Sequence, residues 1–139
     1  MSNPPASIVR EHETDIRVRY EETDGQGHVH HSNYINYFEI GRVEMLRASG
    51  YGYREFEESG LMLVIVNVQC DYFLPAKFDD LLRLKTTVAR AKGVRIEHHY
   101  EIFRGEDLLV SGQTVVACVD HSGKPKRLPK WFAIGSAPE

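Results

Sequence analysis

The sequence contains few cysteines and none of the common motifs for nucleotide binding or serine hydrolysis. Its two cysteines, Cys70 and Cys118, lie in alternating apolar segments without Cys-x-x-Cys spacing, so we expect core thiols and not a redox or metal site. There is no P-loop, no Gly-x-Gly-x-x-Gly fingerprint and no Gly-x-Ser-x-Gly elbow. Any activity must therefore rest on other residues.

Strong charge and long apolar runs are also missing. The formal net charge is -3, which gives no overall reason to expect nucleic acid as a partner. No apolar run reaches the roughly 18 residues that cross a bilayer, and the N-terminal residues do not follow the pattern of a secretion signal. We therefore expect a cytoplasmic protein that does not insert into membranes.

Hydrophobic periodicity predicts one α+β domain over residues 14–132, between a loose arm at 1–13 and a tail at 133–139. An alternating strand begins at Thr14, and a helix is predicted from Ser32 or Asn33 to a stop at Gly50. Four further strands follow, with turns at Pro75, Gly93 and Gly105. This order predicts an antiparallel sheet wrapped around one long helix.

The inward faces of the first strand and of the helix can also be predicted. The strand alternation places Ile16, Val18 and Tyr20 on one face. The apolar stripe of the helix consists of Tyr34, Ile35, Tyr37, Phe38, Gly41, Met45 and Leu46. A glycine inside a helix costs about 1 kcal/mol relative to alanine, so Gly41 predicts a close approach of the helix to the sheet.

The segment from Tyr20 to Arg42 concentrates acids, glycines and histidines just before this helix. Asp24 lies in Thr-Asp-Gly-Gln-Gly, which predicts a tight turn. A helix N-terminus within about ten residues offers free N–H donors beside that carboxylate, an arrangement that suits attack on a carbonyl group. Most aspartates in Asp-Gly serve only as turn residues, which is the alternative interpretation.

Two motifs resemble those of the hotdog-fold acyl-CoA thioesterases in the 4-hydroxybenzoyl-CoA thioesterase family. The first runs Tyr20-Glu21-Glu22-Thr23-Asp24, then Gly27, His31, Asn33-Tyr34, Phe38-Glu39 and Arg42. The second is Tyr72-Phe73-Leu74-Pro75-Ala76 with Asp79-Asp80. The resemblance implies a hotdog fold, and hydrolysis of an acyl-CoA thioester to a free acid and CoA without a metal or other cofactor.

The resemblance also implies roles for single residues. Asp24 would be the catalytic carboxylate, either as nucleophile or as the base that activates water, and the backbone N–H of His31 would polarise the thioester carbonyl. The expected substrate-site residues are Gly27, His30, Asn33 and Tyr34. Relatives usually carry an aromatic residue in place of His30. A homodimer or homotetramer that closes the pocket is implied as well.

The phosphates of CoA require cations. Arg90, Lys92 and Arg95 form the densest basic cluster near a strand end and are the predicted phosphate contacts. A second candidate cluster consists of Lys124, Lys126 and Arg127. A solvated surface is the alternative interpretation of both.

Rival interpretations stay open for the catalytic residue and for the function. Glu39 could be the catalytic acid, because some related hotdog enzymes use a helical glutamate, or it could form an ion pair with Arg42 one turn later. The histidines at 28, 30 and 31 lack metal-ligand spacing, so no metal site is predicted. An acyl-CoA sensor without turnover and a hotdog dehydratase or hydratase are the alternative functions; Asp24 beside Gly27 favours catalysis over sensing.

Overall fold

The structure consists of one long helix, one short helix and a five-stranded sheet. It is a computed structural model that describes residues 4–132. The strands are β1 (Glu11–Arg17), β2 (Leu61–Tyr72), β3 (Leu81–Lys92), β4 (Arg95–Arg104) and β5 (Asp107–Asp120). The helices are α1 (Asn33–Ala48) and α2 (Tyr53–Glu58), and a 3-10 turn covers Tyr20–Glu22.

The sheet is antiparallel throughout, in the order β1-β3-β4-β5-β2. Strands β3, β4 and β5 follow one another through tight turns, where Gly93 and Gly105 have φ of 66° and 60°, a region that favours glycine. Strand β5 lies between β4 and β2, so the backbone groups on both of its edges are paired within the sheet. The predicted α+β fold, an antiparallel sheet around one long helix, is confirmed.

Helix α1 begins and ends where its capping residues predict. Ser32 is the N-cap, Ser49 is the C-cap, and Gly50 follows with φ of 89°. The first half of the helix packs its aromatic residues on β3, β4 and β5, and the second half packs Met45 and Leu46 on the opposite end of the same sheet. Helix α1, with 16 residues or about 24 Å, therefore lies along the sheet and contacts both of its ends.

The predicted close approach at Gly41 is confirmed. A Cβ atom at this position would overlap the Thr86 hydroxyl and would lie 2.9 Å from Cδ2 of Leu84. Both neighbours are fully buried on β3. The glycine therefore allows the helix backbone to contact the sheet directly.

Four details of the sequence prediction are wrong. Strand β1 begins at Glu11, inside the predicted arm. The sequence did not predict this start because Glu11 and Glu13 form ion pairs with Lys85 and Arg83, so the first residues of the strand show no apolar alternation. Tyr20 is 76% exposed, since the chain leaves the strand after Arg17 and turns. Ile35 lies outside the buried stripe, and the short helix α2 was not predicted. The predicted tail at 133–139 lies outside the described residues.

One edge of the sheet is apolar. Strand β2 is an edge strand, and Val64, Ile65 and Val66 on it are between 37% and 48% exposed. An apolar edge strand of 12 residues is a surface on which another strand can pair.

Within residues 4–132, no helix combines the length and the apolar character needed to span a bilayer.

Candidate active site

Asp24 closes the loop that connects the 3-10 turn to α1. Its Oδ1 accepts hydrogen bonds from the backbone N–H groups of Gln26 at 2.8 Å and His28 at 3.2 Å. The Gln26 amide, assisted by the His28 amide, lowers the pKa of Asp24 below its usual value, although desolvation acts in the opposite direction. Oδ2 accepts no hydrogen bond from residues 4–132. The turn role of Asp24 therefore leaves one ionised oxygen free.

His31 lies just before α1 and presents a free backbone donor. Its N–H donates to no acceptor within the described part of the chain, whereas the neighbouring N–H of His30 donates to the Glu22 carbonyl at 2.8 Å and that of Ser32 to Nδ1 of His30 at 3.2 Å. The His31 carbonyl accepts from the Tyr72 hydroxyl at 3.0 Å. This bond ties the segment before α1 to the end of β2.

Glu22 joins the Asp24 loop to the helix. The residue is only 8% exposed, and its carboxylate accepts from the backbone N–H of Arg19 at 2.7 Å and from the Tyr37 hydroxyl at 3.0 Å. Its carbonyl accepts from Nδ2 of Asn33 at 2.9 Å as well as from His30. Burial and the Glu22 carboxylate raise the pKa of Tyr37, so its hydroxyl remains a donor. Sequence reasoning gave Glu22 no role, and its place two residues before Asp24 was the only signal.

Asp24 and His31 line the same cleft, which has a volume of about 320 Å³. The other walls come from the Asp24 loop, from the start of α1 and from the end of β2. They are formed by Gln26, His28, Val29, Tyr34, Tyr72, Phe73, Leu74 and Pro75. Residues 72–75 were recognised as a motif but not as site residues; the signal was a cluster of aromatic and aliphatic side chains at the end of a strand.

The remaining predicted substrate-site residues shape the Asp24 loop and the start of α1. Gly27 has φ of 81° and permits the turn, Asn33 holds the helix start to Glu22, and Tyr34 accepts from the Ala76 N–H at 3.3 Å. Nδ1 of His30 lies 2.8 Å from the Ser32 hydroxyl, and its ring stacks on His31 at 4.2 Å. Of these four residues, only Tyr34 lines the cleft.

The predicted phosphate contacts lie elsewhere. Arg90, Lys92 and Arg95, termed here the basic turn cluster, line a separate cleft around the β3–β4 turn. That turn is at the end of the sheet that packs against the second half of α1. A single chain therefore does not bring the basic turn cluster to Asp24. The second candidate cluster is partly neutralised, because Asp120 lies 3.9 Å from the Lys126 ammonium.

Glu39 lies apart from Asp24, about two turns into α1. It is exposed and lines a different cavity together with Arg42. Within residues 4–132, Glu39 and Arg42 form no ion pair; Arg42 instead donates to the Tyr100 hydroxyl at 3.0 Å. In the same part of the chain, no group of three or more His, Cys, Asp or Glu side chains is arranged to hold a metal ion.

Comparison with known proteins agrees with this architecture. Residues 18–134 match the model of the thioesterase-like superfamily. The acyl-CoA thioesterase YbgC of Haemophilus influenzae is 38% identical over 117 residues, which are 83% of this chain and 86% of that protein. The acyl-CoA thioester hydrolase YbgC of Escherichia coli O157:H7 is 32% identical over 117 residues, 83% of this chain and 87% of that protein.

Solved structures of thioesterases have the same fold as this chain. A probable thioesterase from Bartonella henselae superimposes with a TM-score of 0.81 at 35% identity, covering 86% of this chain and 99% of the other. The DHNA-CoA thioesterase from Staphylococcus aureus superimposes with a TM-score of 0.82 at 29% identity, covering 85% of this chain and 80% of the other. The chain therefore belongs to the thioesterase-like superfamily and has its hotdog fold.

Proposed function

We propose that this thioesterase hydrolyses an acyl-CoA thioester to a free carboxylic acid and CoA in the cleft beside α1. The observation that carries the proposal is that Asp24 and His31 line one cleft, and that within residues 4–132 the Oδ2 of the ionised Asp24 and the N–H of His31 both have no hydrogen-bond partner. Relatives named as acyl-CoA thioesterases support the substrate class.

The His31 N–H is the proposed donor to the thioester oxygen. Negative charge develops on this oxygen when the carbonyl carbon is attacked, and a preorganised donor stabilises that charge by about 3–4 kcal/mol. The adjacent N-terminus of α1 adds its positive dipole end. Because the Tyr72 hydroxyl holds the His31 carbonyl, the donor is fixed before substrate binds.

Asp24 can act by either of two routes. In the first, Oδ2 bonds to the carbonyl carbon and the C–S bond breaks, which gives CoA thiolate and an acyl-aspartyl anhydride that water then hydrolyses. In the second, the carboxylate takes a proton from water as the water oxygen bonds to the carbonyl carbon, and the C–S bond then breaks to give the free acid and CoA thiolate, which takes up the proton. A lowered pKa keeps Asp24 ionised, which both routes require.

Thiol release measured on a panel of acyl-CoAs tests the function. Turnover on at least one acyl-CoA is expected, whereas tight binding without thiol release would contradict the proposal and favour a sensor. Rapid-quench mass spectrometry separates the two routes: direct attack predicts a burst of CoA ahead of the free acid and an acyl mass on the Asp24 peptide. Simultaneous release without that mass would assign Asp24 the role of base.

We also propose that the active form is at least a dimer that pairs its β2 edges. The support is the exposed apolar segment at Val64, Ile65 and Val66 on an unpaired edge strand. Sedimentation at assay concentrations tests this, and an active monomer would contradict it. In such an assembly, the basic turn cluster can contact CoA phosphates only from a neighbouring copy. The cytoplasmic location stays a prediction of the sequence.

A further inference from the structure

A second cavity, distinct from the Asp24 cleft, lies between the second half of α1, α2 and the sheet. Its volume is about 190 Å³, and it shares no lining residue with the Asp24 cleft. The walls are mainly apolar and include Val43, Leu46, Val116 and Phe132. An apolar cavity of about 150 Å³ accommodates benzene, so this one can hold a single substituted ring or a short branched chain.

Two polar groups that line this cavity are incompletely satisfied within residues 4–132, and His98 is the first. Its side chain is 4% exposed, and Nδ1 has no hydrogen-bond partner within residues 4–132. Burial, with a smaller contribution from the Arg42 guanidinium, lowers the pKa of His98 to about 3, so the ring is neutral at physiological pH. Native proteins leave few buried polar atoms unpaired, and each such atom needs an explanation.

Arg42 is the second polar group that is incompletely satisfied in this cavity. Its guanidinium donates to the Tyr100 hydroxyl, which in turn lies 2.6 Å from the Thr114 hydroxyl, so one side of the group is fixed. No carboxylate in the described part of the chain lies within salt-bridge distance of it. Glu39 also borders the cavity, but its side chain is exposed at the mouth. A partly buried cation without a counter-ion is costly unless a ligand supplies the negative charge.

We propose that this cavity binds a compact apolar group that ends in a carboxylate, with the carboxylate held by Arg42 and His98. The guanidinium presents several N–H donors in a planar arrangement that suits carboxylate oxygens, and the neutral imidazole can add one further N–H. The apolar walls accommodate the body of the group.

Such a carboxylate can come from two sources. One is a free carboxylic acid, and the other is the far end of a dicarboxylic acyl group whose thioester is bound elsewhere. Antiparallel pairing of two β2 edges brings the Leu61 end of one strand beside the Tyr72 end of the other. The cavity borders Leu63 and the Asp24 cleft borders Tyr72, so an acyl group bound by one copy can extend into the cavity of its neighbour. This second source rests on the proposed function and its dimer.

The experiment has two arms on the full-length protein. In the first, benzoate is titrated by calorimetry. In the second, kcat/KM is compared for glutaryl-CoA and 5-methylhexanoyl-CoA. The acyl groups have the same branched shape, but the first ends in a carboxylate and the second in two methyl groups.

The variants are Arg42→Gln and His98→Leu, with Val43→Phe to fill the cavity without changing either polar group. His99→Gln is the matched control, because His99 is exposed and lies on the opposite face of β4.

A free-acid site predicts that benzoate binding weakens about 10-fold to 100-fold in Arg42→Gln and His98→Leu, the range for a lost hydrogen bond to a charged group, and that Val43→Phe also weakens it. An acyl site predicts that the preference for glutaryl-CoA falls by a similar factor in Arg42→Gln and His98→Leu while turnover of 5-methylhexanoyl-CoA is kept, and that Val43→Phe lowers kcat/KM for both substrates. Either result supports the proposal, and His99→Gln should change neither.

Two results would overturn the proposal. One is a wild-type protein that neither binds benzoate nor prefers glutaryl-CoA. The other is a Val43→Phe variant with the benzoate binding and the acyl-CoA kinetics of the wild type. Because this variant keeps both polar groups, it also tests the proposal if Arg42→Gln and His98→Leu fail to fold. A wild-type protein that binds benzoate but hydrolyses no thioester would contradict the proposed function and leave the cavity assignment supported.

Discussion

Acid should destabilise the protein through His98, and His98→Gln should remove that effect. The folded ring has a pKa of about 3, whereas the ordinary value is 6.5, so between these values the unfolded chain binds a proton that the folded chain excludes. Stability is therefore lost as the pH falls from about 6.5 toward 3. The loss stops near pH 3, where the folded ring also becomes protonated.

The size of the effect follows from the two pKa values. At pH 5 the unfolded imidazole is almost fully protonated, and at pH 7 it is mostly neutral, while the folded imidazole is neutral at both. Because one pKa unit corresponds to about 1.4 kcal/mol, His98 should remove about 2 kcal/mol from the free energy of unfolding between pH 7 and pH 5. That is a substantial fraction of the stability of an ordinary domain.

Urea denaturation at pH 7 and pH 5 measures this loss. The chain has a single tryptophan, and Trp131 packs 5.1 Å from the Tyr51 ring, so its fluorescence reports unfolding. Protein concentration is held constant because an oligomer gains stability with concentration. The pH dependence should shrink by about 2 kcal/mol in His98→Gln and stay near wild type in His99→Gln. Equal pH dependence in wild type and His98→Gln would refute the reasoning.

Three further predictions concern chelation, coenzyme binding and packing. Activity should survive exhaustive treatment with EDTA, since the proposed chemistry uses a carboxylate and a backbone donor; loss of turnover that zinc restores would contradict this. Removing the three charges of the basic turn cluster should raise the KM for acyl-CoA more than it lowers kcat, and an unchanged KM would place the phosphates elsewhere. Gly112→Ala should lower the free energy of unfolding by about 1–3 kcal/mol, because the new Cβ would lie 2.5 Å from the Phe38 ring and 2.9 Å from the Gln69 carbonyl oxygen. The same urea assay should show little change for Gly25→Ala, which has open space around it.

Most of the fold could be predicted from local patterns in the sequence. The apolar stripe of α1 could be predicted because its period is that of a helix. Gly41 predicted the close contact with β3 because a glycine inside a helix is costly unless the backbone approaches another element there. Helix α2 was missed because six residues are too few for a clear period. The exposure of Tyr20 was missed because the alternation of β1 continues in the sequence after the strand itself has ended at Arg17.

The candidate site was only partly predictable. Asp24 could be found from its turn and its motif, and the helix start located His31. The free N–H of His31 depends on where neighbouring carbonyls lie, and the role of Glu22 depends on contacts with Arg19 and Tyr37. The distance between Asp24 and the basic turn cluster likewise depends on how the sheet is ordered. Apart from the place of Glu22 two residues before Asp24, none of these facts has a local sequence signal.

The turnover of Asp24→Asn tests the central claim most directly. Asparagine keeps an oxygen that can accept from the Gln26 and His28 amides, so the loop should hold its shape while the charge is lost. With Asp24 as the catalytic carboxylate, kcat should fall by about 10²–10⁴-fold with little change in substrate affinity. Glu39→Gln, the matched control, should keep most activity. Near-normal kcat in Asp24→Asn together with collapse in Glu39→Gln would contradict the account and place the chemistry on α1.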